Sequence, residues 1–210
     1  SATSIGLCGN RCRQAMRPVY KAAAFAIKTK KNRRIFTMNN EVLNAIKTRR
    51  SIRKYKAEQI TDEQLDAILE AGTYAATGMG KQSPVIVVVQ KPELIAKLSR
   101  MNAAVMGTTS DPFYGAPTVL IVLADPERGT YVEDGSLVMG NLMLAAHAVG
   151  VDSCWIHRAK EEFASPEGKA LLKEWGLSEN YVGIGHCILG YRDCEYPEAK
   201  ERKADYIVRV

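Results

Sequence analysis

Three arginines and a serine lie within five residues, in the segment R-R-S-I-R at positions 49–53. Guanidinium groups bind phosphate with paired hydrogen bonds, and a hydroxyl adds one more. The segment follows a predicted helix, whose C-terminal end disfavours anions, so the side chains must hold the charge. A second basic pair, Lys200 and Arg202, lies near the C-terminus. Either group alone is typical of a solvated basic surface, but together with the loop before Val85 they predict a phosphate site.

Other chemistries lack their motifs. The loop at 77–83 resembles a phosphate loop, but it has neither the first glycine nor the serine after lysine, and it precedes a strand. Gly183 and Gly185 lie inside a predicted strand without a third glycine, so they are not a dinucleotide fingerprint. The histidines and cysteines have no metal-ligand spacing, and a Cys–His nucleophile pair is a disfavoured alternative. We therefore assign no catalytic acid or base and no metal ligand.

The elements that must position these residues alternate between helices and strands. A T-x-x-Q capping box opens a helix at Thr61, and the helix ends near Ala76. This alternation predicts one mixed α/β or α+β domain without repeats. The other predicted helices are Glu41–Arg50, a helix that begins at Pro92, Glu133–Gly150 and Pro166–Trp175. The predicted strands are Val85–Val89, Thr118–Leu123, Ser153–Ile156 and Tyr181–Leu189, and Asp205–Val210 is a possible terminal strand.

Two elements carry a further prediction about burial. Val85–Val89 is a continuous β-branched run, which predicts a strand buried on both faces. The helix Glu133–Gly150 is apolar nearly all round, which predicts a central helix or an oligomer interface. We assign its residue Leu142 to the interface. No apolar run approaches the roughly 18–20 residues that cross a bilayer, so no membrane partner is expected.

The charge is divided unevenly along the chain. Residues 1–37 carry nine basic residues and no acidic ones, which leaves 20 of the 29 basic residues for the rest, against all 23 acidic residues. The net charge of +6 therefore belongs to this extension, and no nucleic-acid partner is expected for the remainder. The extension is interpreted as a leader or a non-native start before Met38, as a transit peptide, or as a functional basic arm.

From Met38 to Val210 the sequence resembles the FMN-dependent nitroreductase family. No single motif is specific, but six occur in the family's order. Three positions depart from the pattern: Ala76, where proline is common; Gly80, where asparagine is common; and Glu201, between the tail cations. The six motifs are R-R-S-x-R at 49–53, the loop at 75–82, G-A-P at 115–117, N-x-x-L-A-A-x-x-x-G at 141–150, the segment 153–158 and K-x-R at 200–202.

The resemblance implies an α+β fold, with a central mostly antiparallel sheet between helices. It implies a homodimer that exchanges C-terminal segments and holds two FMN molecules at the subunit interface. The expected localisation is cytoplasmic. Phosphate and ribityl contacts fall to Arg49, Arg50, Ser51, Lys200 and Arg202, and Arg53 lies beside N1 and O2 of the ring. Contacts to the ring edge fall to Gln82, Trp155, Ile156 and His157, and contacts to the partner's flavin to Ala76, Thr77 and Gly78.

The implied activity is electron transfer from NAD(P)H through flavin N5 to a nitroaromatic, a quinone or a similar small acceptor, by ping-pong kinetics. His157 contacts the flavin through its backbone in the favoured interpretation and transfers a proton in the other. Three alternatives stay open: a same-fold enzyme of different reaction such as dehalogenation or dehydrogenation, a flavin-storage protein without turnover, and a nucleic-acid or membrane binder that acts through the basic tail.

Overall fold

A computed structural model describes residues 40–210; the predictions for residues 1–37 and for a start at Met38 lie outside this range. Six α-helices and four strands occur in these residues, with a short 3₁₀ turn at Gly78–Gly80. The helices are α1 (Glu41–Thr48), α2 (Asp62–Thr73), α3 (Pro92–Met106), α4 (Tyr131–Ala148), α5 (Ala159–Ala164) and α6 (Pro166–Glu174). The strands are β1 (Val85–Val89), β2 (Thr118–Ala124), β3 (Asp152–Ile156) and β4 (Val182–Gly190).

The four strands form one sheet in the order β1-β2-β4-β3, and every neighbouring pair is antiparallel. Helices α3, α5 and α6 pack on one face of the sheet, and α2 and α4 pack on the other. Alternate residues of β2 enter the two cores: Ile121 faces α3, whereas Leu120 faces α4. The expectation of an α+β fold with helices on both sides of an antiparallel sheet is confirmed.

Local signals set the helix ends. The Thr61 side chain accepts from the Gln64 backbone amide, and the Gln64 side chain accepts from the Thr61 amide, as the predicted capping box requires. Helices α3 and α6 both begin with proline, which suits a position whose amide has no partner in the helix. Gly176 follows α6 with a φ of 71°, a left-handed conformation that glycine adopts without strain.

Three predictions about elements were incomplete or wrong. Helix α5 was missed, because six residues are too few to show helical periodicity. Strand β1 is at the sheet edge, and Val88 is 40% exposed, so the prediction of burial on both faces was wrong. Residues 205–210 form no strand and are exposed, and none of the four strands in the described part of the chain pairs with them.

The assignment of Leu142 to an interface was also wrong. Leu142 is fully buried within its own subunit and packs against Gly72 of α2. Leu137 on the same helix is 50% exposed. An apolar helix can bury one face in its own sheet and leave another uncovered, and composition does not distinguish the two faces.

The glycines of β4 are explained by packing. A Cβ added at Gly183 would lie 2.3 Å from the Ala159 carbonyl oxygen, which is backbone and cannot move aside without shifting α5. Gly183→Ala is therefore expected to lower the free energy of unfolding by about 2 kcal/mol or more. Gly129→Ala is the matched control, since nothing lies within 4 Å of its added Cβ. Urea melts compare the two variants; equal midpoints would contradict the assigned close packing.

Candidate functional site

The outer edge of β3 is partly open. Ile52 donates its amide to the Ser153 carbonyl at 3.1 Å, so the backbone of Ser153 points away from β4. Because antiparallel strands alternate inward and outward pairs, Trp155 presents its backbone groups, and His157 its backbone amide, to the same outer side. The His157 carbonyl lies beyond the end of β3 and accepts from the buried Asn102 side chain instead. This part of β3 therefore offers hydrogen-bonding groups of the kind that bind a polar ring edge.

The arginine and serine segment runs along the start of that edge. Ser51 pairs with Ser153 in a parallel bridge, which brings the end of α1 beside β3. Four buried polar atoms of this segment and of β3 have no hydrogen-bond partner among residues 40–210, although most buried polar atoms in proteins have one. They are Nη1 of Arg49, Nε of Arg50, Oγ of Ser153 and Nε1 of Trp155.

The charges of this segment converge on Cys154. Burial raises the pKa of the Cys154 thiol, while Arg53, the hydroxyl of Ser51 and Arg49 act in the opposite direction. Arg49, Ser51 and Arg53 therefore all lie near Cys154 of β3. Arg53 is exposed, which suits a contact at the solvent-accessible edge of a ligand. Arg49 is half-buried, which suits a contact to an enclosed anion.

Arg50 has a different role. Its guanidinium donates to the carbonyl oxygens of Lys47 and Arg49, both at 2.8 Å, so Nη1 is used in closing the end of α1. Its amide donates to the hydroxyl of Tyr196 at 3.1 Å, and that hydroxyl donates to the Thr48 carbonyl at 2.9 Å. Tyr196 thus fixes where the C-terminal segment leaves the body.

The C-terminal pair lies apart from this cluster. Lys200 and Arg202 are exposed, and the Arg202 guanidinium donates to the Lys200 carbonyl. Among the described residues, no hydrogen bond or ion pair joins either of them to Arg49, Ser51 or Arg53. One subunit therefore does not bring the two predicted halves of the phosphate site together.

The loop before β1 forms a separate small cavity. Gln82 donates its amide to the Thr77 hydroxyl at 3.0 Å, and both residues line a cavity of about 420 Å³ with Val138. Gly78 donates its amide to the buried carboxylate of Asp134 at 2.8 Å. Ala76 is exposed. Thr77 and Gln82 thus share one cavity, next to Ala76 and Gly78 in the same loop, and no residue of the arginine segment lines that cavity.

A buried polar network at the end of β3 was missed by the sequence analysis. Asn102 donates to the His157 carbonyl at 2.7 Å and to the Glu162 carboxylate, and it accepts from Nε of Arg158 at 2.9 Å. The Glu162 carboxylate contacts His186 at 3.0 Å. Asn102, Glu162 and His186 are essentially inaccessible to solvent. These residues are far apart in the sequence, so no local motif indicates the network. The one available signal is that each is a polar residue within a mostly apolar helix or strand.

Ile156 and His157 complete the predicted segment. Ile156 is buried in the core between the sheet and α3, and the His157 side chain is exposed. Arg158 then adopts a left-handed conformation with a φ of 79°.

None of the described helices is both long and apolar enough to cross a membrane.

Known proteins match this architecture over most of the chain. The model of the nitroreductase family matches residues 46–110 and 104–191. A relative from Archaeoglobus fulgidus, provisionally named NADH dehydrogenase/NAD(P)H nitroreductase, is 33% identical over 77% of this chain and 92% of its own length. A nitroreductase with bound FMN from Bacteroides fragilis is 34% identical, with a TM-score of 0.74, covering 82% of this chain and 100% of that one. One from Desulfitobacterium hafniense, also with FMN, is 29% identical at the same TM-score and the same coverage.

Proposed function

The chain belongs to the nitroreductase family, and on that premise we propose that it is an FMN-dependent oxidoreductase that passes electrons from NAD(P)H to small acceptors. Nitroaromatics and quinones are the proposed acceptor classes. The observation that carries the proposal is the buried, unpartnered Nη1 of Arg49 beside Ser51, at the open edge of β3. The two similar nitroreductase structures, from Bacteroides fragilis and Desulfitobacterium hafniense, hold bound FMN.

The residues present fit the FMN phosphate. Arg49 has a buried donor without a partner among residues 40–210, and Ser51, two positions along the same segment, lies near the same residue of β3, Cys154. A desolvated guanidinium is costly unless an anion or an acceptor pairs with it, and a phosphate oxygen supplies that partner. We place the phosphate at Arg49 and Ser51, with Lys200 and Arg202 of a second subunit as the remaining cations.

The ring edge fits the outer edge of β3. The backbone groups of Trp155 and the backbone amide of His157 face outward there, and Arg53 is exposed nearby. We place the flavin N5 and O4 edge against the segment Trp155–His157, and the N1 and O2 edge beside Arg53. A positive charge at that place favours the reduced, anionic ring.

We propose a homodimer with FMN between the subunits. Three apolar side chains outside the core support it: Val42 is 63% exposed, Ile46 57% and Leu137 50%. The exposed C-terminal segment of one subunit then reaches the other, and the loop Ala76–Gln82 covers the partner's flavin. This arrangement unites the parts of the site that one subunit keeps apart.

In this proposal the protein binds, orients and shields rather than transferring protons. Bound FMN would supply the redox chemistry between NAD(P)H and the acceptor. Arg53 holds positive charge beside the ring, and the β3 edge orients it. The loop at Gly78, held by Asp134, limits the space above the ring. One shared space for donor and acceptor predicts ping-pong kinetics.

An absorbance spectrum of the purified full-length protein tests the proposal first. A visible flavin spectrum is expected, and anaerobic NADPH or NADH is expected to bleach it promptly. Double-reciprocal plots with a quinone or a nitroaromatic acceptor should then give parallel lines. A flavin-loaded protein that neither donor reduces would favour the storage alternative, and a protein that binds no FMN would overturn the proposal.

A further inference from the structure

Asn102 uses its whole side-chain amide at the end of β3. Both hydrogens of Nδ2 are donated, one to the His157 carbonyl at 2.7 Å and one to Glu162, and Oδ1 accepts from Arg158 at 2.9 Å. Asn102 is completely buried on α3, and it lies more than fifty positions before His157 in the sequence. A buried amide with every hydrogen bond made holds its neighbours in one arrangement.

The turn that Asn102 holds is strained. Arg158 has a φ of 79°, a left-handed conformation that is uncommon for residues other than glycine and costs on the order of 1 kcal/mol or more. Such a conformation persists only where the surroundings enforce it. Here the enforcing contacts are those from Asn102 to the His157 carbonyl and to the Arg158 side chain.

We propose that Asn102 is a positioning residue for the flavin, acting through the backbone of His157. By holding the His157 carbonyl inward, it fixes the turn at the end of β3 and with it the outward-facing His157 amide, against which we place the N5 and O4 edge. Behind it, the Glu162 carboxylate accepts the second Nδ2 hydrogen and contacts His186, and a glutamine at position 162 would keep an oxygen acceptor there. This inference rests on the proposed function, because it assumes that FMN lies at the β3 edge.

Exchanging the two polar groups separates positioning from stability. In Asn102→Asp, a carboxylate faces Glu162 and the His157 carbonyl, so both the melting temperature and the flavin contacts should suffer. In the double variant Asn102→Asp with Glu162→Gln, one amide and one carboxylate again face each other, and Arg158 still has its acceptor. The His157 carbonyl, however, still lacks a donor.

The readout is the affinity of each variant for oxidised and for reduced FMN. The double variant is expected to recover most of the melting temperature lost in Asn102→Asp. Its ratio of the two Kd values should still differ about fivefold from the parent's, equivalent to about 20 mV for a two-electron couple, since tenfold is about 30 mV. Glu162→Gln alone keeps the Asn102 donor to His157 and should leave the ratio unchanged.

Two results would overturn the proposal: a double variant whose ratio returns to the parent's value, or a Glu162→Gln ratio that moves as far as that of Asn102→Asp. If the double variant does not fold, Glu162→Gln and Ser99→Ala still test it. Ser99 lies on the same helix and bonds Asp111, so its variant should leave the ratio unchanged. Hydrogen exchange of residues 153–160 in the FMN-free variants is independent of flavin. Faster exchange in Asn102→Asp than in Ser99→Ala supports the contact even if the parent binds no FMN, and equal exchange refutes it.

Discussion

Replacing Arg49 with alanine is expected to raise the Kd for FMN by roughly 10- to 100-fold. The buried Nη1 of Arg49 has no partner among residues 40–210, so a phosphate is its proposed acceptor. A hydrogen bond to a charged group contributes about 1.5–3 kcal/mol, and about 1.4 kcal/mol is tenfold in Kd. Because phosphate contacts act equally on oxidised and reduced FMN, the reduction potential should stay unchanged. Fluorescence titration of the FMN-free protein measures the Kd.

Arg53→Ala is the matched comparison, since both residues are arginines of the same segment. Arg53 is exposed and is proposed to lie beside N1 and O2, where negative charge develops only on reduction. A loss of about 1.4 kcal/mol lowers the potential of a two-electron couple by about 30 mV, which close charges at an effective dielectric of about 20 can supply. Dye-equilibration titration with excess FMN measures both variants. Equal potentials would contradict the two roles, and a larger drop in Arg49→Ala would reverse them.

The sequence predicted the local features of the fold, and one local part of the candidate site, well. The capping box at Thr61, the proline at the start of α3 and the buried strand β2 are short-range signals, and the structure has each of them. The arginine and serine segment was likewise visible, because its residues are neighbours in sequence. Its backbone is held beside β3 by the bridge from Ser51 to Ser153 and by the hydrogen bond from the Ile52 amide to the Ser153 carbonyl.

What the sequence did not predict depends on contacts between distant residues. Asn102 and Glu162 are polar residues that become informative only when seen buried together. The exposure of Val88 depends on which strand occupies the sheet edge, and β-branched composition is the same at the edge and in the centre. The hydrogen bonds of Tyr196 to Thr48 and Arg50 could not be predicted for the same reason, because these residues are almost 150 positions apart in the sequence.

Two faces of α4 can be distinguished by two substitutions of the same kind. Leu137, Asn141, Leu144 and Ala148 follow the i, i+4, i+7, i+11 spacing of one helix face, and the last three line a groove of about 620 Å³ with Tyr74. Leu142 is fully buried on another face. Replacing leucine with glutamate should therefore disrupt folding at one face and subunit association at the other.

Leu142→Glu is expected to unfold the subunit, because an unpaired charge buried in the core costs several kcal/mol. Leu137→Glu places the same charge on a half-exposed position and should leave the subunit folded but split the proposed dimer. Since the parts of the flavin site come from two subunits in this proposal, FMN should be lost with the dimer. Light scattering after gel filtration, a circular dichroism melt and the flavin content measure the three quantities. A Leu137→Glu protein that stays dimeric and keeps its FMN would show that this face of α4 is not the interface, whereas a folded, flavin-free monomer is the result expected.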